Sequence, residues 1–357
     1  MSRLLIDLYK TRNLNSGIGS FSINFAETLS KKNLPGDTLD YLCPGNFPPG
    51  DWGLVNLEKV NLQKRYFPRL NRTYDIWHSL YQFPSYLPNR NTPWILTIHD
   101  LNFMVEKDKR KAAHYLKKLQ QNIDRSSAVS VISDYTRSQV VDYLDVKEKP
   151  LFRIYNGISV KSFPGAPKPG FLTNRNFFFT IGIISAKKNF GVLVPMMKKF
   201  PEYDLVIAGD NDSAYAKRIL ELVDASKMNG RVHLPGKISD SDRYWLYSHC
   251  RAFLFPSLAE GFGMPVIEAM LLGKPVFTST CASLPEIGGN HAFYWQNFDP
   301  DHMAEVVKNG LDLCERQEET FSASMVAHAQ KFSWSRCVDD YLMMYREVIV
   351  NRRSVTP

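Results

Sequence analysis

The chain has 357 residues, 44% of them apolar, and a formal net charge of +8. That length is too great for one ordinary core and suits two domains of about 150–200 residues each. No apolar run reaches the roughly 18 residues that a membrane-spanning helix needs. The opening Met1-Ser2-Arg3-Leu4-Leu5-Ile6 lacks the long apolar stretch and cleavage site of a secretory signal, so it reads as a first strand.

The five cysteines, Cys43, Cys250, Cys281, Cys314 and Cys337, are odd in number and match no zinc or redox spacing. Reduced, mostly buried thiols are expected, which favours the cytoplasm. In that compartment the Asn71-Arg72-Thr73 glycosylation sequon is a chance match. The positive charge suits a nucleic acid, an anionic lipid surface or a phosphorylated substrate, and does not choose among them.

Short apolar runs alternate with amphipathic stretches, the pattern of parallel sheets covered by helices. The first predicted strand, 4–9, leads into Asn15-Ser16-Gly17-Ile18-Gly19-Ser20 and a helix. Gly17 and Gly19 permit close approach there, of a ligand or of the chain itself. Strands are next predicted at 39–43 and 76–80, the latter containing His78, which reads as structural. The strand at 94–98 ends in His99-Asp100; His99 falls at the carboxyl edge of the sheet, and Asp100 can cap the next segment. The strand at 129–133 ends on Ser133, and one at 152–155 precedes Asn156-Gly157.

Two basic stretches lie in this half. One holds Lys64, Arg65, Tyr66, Phe67, Arg69 and Arg72; the other holds Lys107, Lys109, Arg110, Lys111, Lys117 and Lys118. Each fits a solvated face or contact with an anionic acceptor or membrane.

Residues 157–171 carry Pro164, Gly165, Pro167, Pro169 and Gly170 without periodicity and read as a linker. Strands are then predicted at 177–183, 205–208, 232–234, 252–256, 276–278 and 292–295, with a helix at 334–352. Each half reads as its own doubly wound α/β sheet. Ligands of such sheets bind beyond the carboxyl ends of the strands.

The segment from Phe255 to Met270 is the most informative. A strand ends near Pro256, a turn with Gly261 and Gly263 comes next, and a helix with Pro265 in its first turn runs to Gly273. The glycines let backbone approach a ligand, and the free amides of the helix start suit a diphosphate. Glu260 sits in the turn and Glu268 on the helix. Glu268 is conspicuous beside Val266, Ile267, Met270 and Leu271, because a buried carboxylate needs donors. A ribose diol or a sugar would supply them; a solvated glutamate at each end of the turn is the plainer alternative. Lys187 and Lys188 come after the strand 177–183, where cations would stabilise the charge of a leaving diphosphate or simply be solvated. No Asp-x-Asp pair sits at a strand end; Asp210-Asn211-Asp212 comes after Gly209 in a turn and reads as a helix cap.

Two glutamates seven residues apart around Glu260-Gly261-Phe262-Gly263 resemble the signature of the family 4 retaining glycosyltransferases of the GT-B fold. Gly273-Lys274-Pro275-Val276, Ser283-Leu284-Pro285-Glu286-Ile287, Gly182 through Lys187-Lys188-Asn189, Ala208-Gly209, Arg231 through Gly236, and Phe332-Ser333-Trp334 match in the same order. The resemblance is nearest to bacterial O-antigen and surface-polysaccharide members, many of them mannosyltransferases. It implies two Rossmann-like domains facing each other across a cleft: 1–160 on the acceptor side, 161–335 for the donor, and a C-terminal helix, 336–357, returning to the first domain.

The resemblance also implies roles. Glu260 would hold donor-sugar hydroxyls, with Gly261, Phe262 and Gly263 placing amides beside sugar and phosphate. Glu268 would grip the ribose, and Lys187 and Lys188 the pyrophosphate. The loop with Gly17 and Gly19, together with Ser133, would lie near the donor, and His99 near the reacting sugar. Glu260, His99 and Lys188 are thus the expected catalytic group. Ile183 stands where many members carry an arginine.

The expected partners are a nucleotide-sugar, with GDP-mannose the first guess, and a glycan or lipid-linked acceptor, with peripheral contact to the inner face of the membrane. No metal or other cofactor and no nucleic acid are expected. A GT-B-like phosphorylase or sugar-nucleotide epimerase is the enzyme alternative, and a basic nucleic-acid-binding protein the non-enzyme one.

Overall fold

The computed structural model describes residues 2–14, 16–50, 52–60, 73–146 and 148–355. It divides into two compact units. Unit 1 comprises the residues up to Gly157 together with those from Ser333 onward; unit 2 is Ile158–Phe332. The divisions fall three residues before the boundaries read from the sequence.

Unit 1 holds β1 (Arg3–Asp7), β2 (Thr38–Cys43), β3 (Asn56–Lys59), β4 (Ile76–Ser79), β5 (Trp94–Ile98), β6 (Ala128–Val131) and β7 (Leu151–Arg153). They form one parallel sheet in the order β3-β2-β1-β4-β5-β6-β7. Unit 2 holds β8 (Asn176–Ile181), β9 (Tyr203–Ala208), β10 (Val232–Gly236), β11 (Ala252–Phe255), β12 (Val276–Ser279) and β13 (Phe293–Trp295). They form a second parallel sheet in the order β10-β9-β8-β11-β12-β13. In each sheet the order reverses beside the first strand, between β1 and β4 and between β8 and β11. Such reversal points are where doubly wound sheets take ligands.

The central strands are mostly apolar because both faces are covered. All five residues of β5 and all four of β11 are buried. Alternate residues serve opposite layers. In unit 1, Leu4 and Ile6 join Phe21, Phe25 and Leu29 on one side; Leu5 joins Leu42, Trp77 and Ile123 on the other. Strand β3 was not predicted. It is an edge strand, largely exposed, and its one apolar residue, Leu57, cannot signal an apolar run.

Several predicted strands shift at their ends. The run 4–9 stops at Asp7, where the chain enters a tight turn at Tyr9–Arg12. The run 129–133 becomes Ala128–Val131, since Ser133 leaves the sheet to cap the helix Asp134–Tyr143. The predicted terminal helix spans Trp334–Val355 and packs on unit 1 through Cys337, Val338, Tyr341, Met344, Tyr345 and Val348.

A buried polar chain ties that helix to the sheet. His78 Nδ1 lies 2.6 Å from Tyr345 Oη and its Nε2 2.7 Å from Thr97 Oγ1, which lies 2.7 Å from Ser130 Oγ. All five cysteines are free; Cys281 is half-buried and the other four are buried.

Candidate active site

The loops after β8 and β11 meet at the reversal point of unit 2. Lys187 and Lys188 lie in a single tight turn, Ala186–Lys188. The backbone carbonyl of Lys187 accepts from Leu258 N (2.7 Å) and Ser257 Oγ (3.2 Å), which joins the two loops. Lys188 Nζ pairs with Glu260 Oε1 at 2.5 Å and lies 4.9 Å from the centre of the Phe255 ring. Each side chain of the pair is only 12% exposed.

The turn bearing Glu260 is held from below. Ser283 Oγ reaches the carbonyls of Phe262 (2.8 Å) and Glu260 (3.1 Å). The Phe262 ring is buried, edge-on to Phe332. Gly263 caps the helix Met264–Leu271 at φ +106°, a conformation that favours glycine, and Pro265 occupies the first turn. A β-carbon at Gly263 would also press on Leu284, at 2.9 Å.

Glu268 is buried on that helix, but its donors come from the protein. Arg243 binds Oε1, and Tyr247 donates to Oε2 across 2.8 Å. Both project from the helix Asp240–His249, one turn apart. The adjacent carboxylate holds the Arg243 guanidinium still more firmly protonated than usual, and burial raises the Tyr247 phenol. Sequence reading missed both partners. Their spacing of four puts them on one helix face, which was the available signal, but nothing local points that face at Glu268.

The family model described as Glycosyl transferases group 1 matches residues 166–322, and the model described as Glycosyltransferase Family 4 matches 39–162. The backbone superposes on a sucrose-phosphate synthase from Thermosynechococcus elongatus with a TM-score of 0.76, over 98% of this chain and 100% of that one, at 16% identity. The chain is a family 4 glycosyltransferase of the GT-B fold.

Among characterised relatives, the glycosyltransferase is similar to the O-antigen chain mannosyltransferase B of Escherichia coli. The two are 25% identical over 287 residues, 75% of this chain and 74% of that one. A second similar structure is Anabaena Alr3699/HepE, solved in complex with UDP and glucose. Its TM-score is 0.71 and its identity 16%, over 97% of this chain and 100% of that one.

The other expected site residues of the glycosyltransferase belong to unit 1 and lie after β1, β5 and β6. Gly17 opens the helix Gly17–Ser30, and Ser16 caps it by accepting from Gly19 N at 3.0 Å. A β-carbon at Gly19 would sit 2.0 Å from the Asn13 carbonyl oxygen. The close approach that Gly19 permits is thus one made to the chain's own turn.

Ser133 is buried. It accepts from Thr136 N (3.0 Å) and donates to Thr136 Oγ1 (2.9 Å), so its hydroxyl serves a helix cap. His99 is 6% exposed and packs edge-on to Phe21. Its Nε2 lies 2.8 Å from the Leu80 carbonyl, which can only accept. The neutral ring thus donates through Nε2 and keeps Nδ1 as an acceptor. Burial lowers its pKa and favours that neutral form.

Asp100 accepts from Asn102 N at 2.9 Å, a local turn. The Asp210-Asn211-Asp212 turn does not cap the helix Ala214–Ala225; Ser213 does, accepting from Ala216 N at 3.0 Å, while Asp210 pairs with Lys237 at 2.8 Å. Among the described residues no three His, Cys, Asp or Glu side chains gather to hold a metal ion. Among them, too, no helix is long and apolar enough to cross a membrane. The basic residues 107–118 lie mainly on the helix Lys109–Arg125, which buries Ala112, Leu119 and Ile123 and turns most of its lysines outward. The basic residues Lys64 to Arg72 lie outside the described residues.

Proposed function

We propose that this glycosyltransferase moves a hexose from a nucleotide-sugar to a glycan or lipid-linked acceptor of a bacterial surface polysaccharide. In this reading transfer retains the anomeric configuration and needs no metal ion, and mannose from GDP-mannose is the first donor to test. The supporting observation is the Lys188–Glu260 pair at the reversal point of the second sheet, with the buried Glu268 on the helix that follows the same turn. The O-antigen mannosyltransferase relative supports the sugar and the pathway, and the UDP and glucose of the Anabaena structure support a nucleotide-sugar as donor class.

In this scheme Lys187 and Lys188 take the diphosphate, whose charge grows as the glycosidic bond breaks. Glu260 accepts hydroxyls of the sugar, and Gly261, Phe262 and Gly263 bring backbone beside it. Glu268 accepts the ribose hydroxyls: Arg243 and Tyr247 each use one of its roughly four lone-pair sites. The acceptor oxygen bonds the anomeric carbon on the face from which the diphosphate departs, and the hydroxyl proton passes to the leaving diphosphate oxygen. The outward lysines of Lys109–Arg125 would meet an anionic acceptor or the inner membrane face.

Thermal shift with GDP, UDP, ADP and dTDP, each with and without chelator, tests the donor site. A ligand at about 100 times its dissociation constant stabilises by roughly 2.7 kcal/mol. A shift with one nucleotide, unchanged by chelator, is expected. Silence with all four, or loss of the shift on chelation, would overturn the donor site or its metal independence respectively. Release of free sugar phosphate or of an epimerised donor would overturn transfer.

A further inference from the structure

The Lys188–Glu260 pair joins two groups that the proposed function gives to different parts of the donor, one to phosphate and one to sugar. In the free protein each neutralises the other. The contact is well fixed. The Lys188 stem lies along Gly182, where a β-carbon would meet its Cε at 3.4 Å, and the Glu260 backbone is anchored by Ser283. With each side chain only 12% exposed, salt and water screen the pair little.

We infer that Glu260 determines specificity by holding Lys188 until a sugar is present, so that the subsite selects the intact nucleotide-sugar over the nucleoside diphosphate left after transfer. The inference rests on the donor site proposed above. A bare diphosphate arriving at Lys188 finds the cation already occupied. Drawing Lys188 away strips Glu260 of its partner and leaves a poorly hydrated carboxylate near added negative charge. A nucleotide-sugar brings hydroxyl donors that replace Lys188 on Glu260, so that both groups stay bonded. Once the sugar has left for the acceptor, Glu260 recaptures Lys188 and the hold on the product weakens. Binding energy is thereby kept for the species that reacts.

Calorimetric titration without acceptor tests this on the full chain, using GDP, UDP, ADP, dTDP, inorganic pyrophosphate, GDP-mannose and UDP-glucose. The variants are Glu260→Gln, which keeps the side-chain shape, and Glu260→Gln with Lys188→Gln. Matching thermal midpoints establish that the variants fold. Glu260→Gln is expected to bind the diphosphate about tenfold more tightly than wild type and its sugar derivative more weakly. The gain should vanish in the double variant. Equal or weaker diphosphate binding by Glu260→Gln overturns the inference while leaving the donor site standing. A gain that survives removal of Lys188 also overturns it, since simple relief of repulsion would then suffice. If no protein binds any of the probes, the donor site and the inference fall together.

Discussion

The phenol of Tyr247 donates to Oε2 of Glu268 across 2.8 Å, inside the second unit. With Arg243 on the other oxygen, the carboxylate is held in place before any ligand arrives.

Removing either support should therefore be felt in two ways. Tyr247→Phe is expected to cost roughly 1–2 kcal/mol of unit 2 stability. Arg243→Met should cost roughly 1–3 kcal/mol, the figure being reduced because that side chain is 38% exposed. Both should weaken nucleotide binding, Arg243→Met more. Thermal melts and nucleotide titrations of the two variants check this. Unaltered nucleotide affinity in Arg243→Met would separate Glu268 from the donor.

The two ends of the proposed donor site should give different kinetic signatures. Lys188→Ala is expected to lower kcat by about 10²–10³-fold, because its charge acts on the departing diphosphate. Glu268→Ala should chiefly raise KM, because the ribose is held alike before and during reaction. Steady-state transfer assays on both variants decide; full activity in either breaks its assignment.

Acid should loosen the terminal helix of unit 1. Burial depresses His78 from 6.5 to about 3, so the unfolded chain takes up a proton that the folded one refuses. The resulting stability is complete above pH 6.5 and is lost as pH falls toward 3, roughly 4–5 kcal/mol across the window. Amide protection around Tyr345, corrected for the slower intrinsic exchange in acid, should thus be much weaker at pH 4.5 than at pH 7. His78→Phe should reduce that pH dependence, with a constant penalty from the Tyr345 hydroxyl that loses its partner. The same slope in the variant would remove His78 as its cause.

Asp7 has the opposite sign. It is buried at the carboxyl end of β1, where desolvation lifts its carboxyl from 3.8 to about 7 against a hydrogen bond from Tyr9 N at 3.0 Å. Stability from this residue is complete below pH 3.8 and declines as pH rises to about 7. Asp7→Asn can keep the Tyr9 bond and has no charge to bury. Its advantage over wild type should grow between pH 4 and 7 to roughly 2–4 kcal/mol, then level off. Melting midpoints across that range provide the measurement, and an advantage independent of pH would argue against a buried ionisation.

Strands such as Trp94–Ile98 were legible because a strand buried on both faces must be an apolar run. Asn56–Lys59 was not, because an edge strand is bonded through backbone and owes little to its side chains. At the site, Lys188, Glu260 and Glu268 stood out singly, as charges in apolar or glycine-bearing surroundings. Their partners did not. Arg243 and Tyr247 reach Glu268 from another helix, more than twenty positions away in the chain, and periodicity reports which face a residue occupies without saying what it meets. Gly19 and Ser133 show the converse. Their local chemistry fits a ligand and a helix start equally well, and only three-dimensional contacts show the turn and the cap using it.

The helix Trp334–Val355 completes the first unit, yet it is synthesised after the whole of the second. At ordinary translation speeds the ribosome spends on the order of ten seconds or more between the two parts of unit 1. Throughout that interval the apolar side chains around Phe25 and Tyr41 await the cover that Tyr341 and Tyr345 provide. The nascent chain therefore offers a sticky surface at its beginning while its middle is already able to fold. A fragment ending near Gly157 would keep that surface permanently and should aggregate or be held by chaperones, whereas Ile158–Phe332 has all of its own sheet.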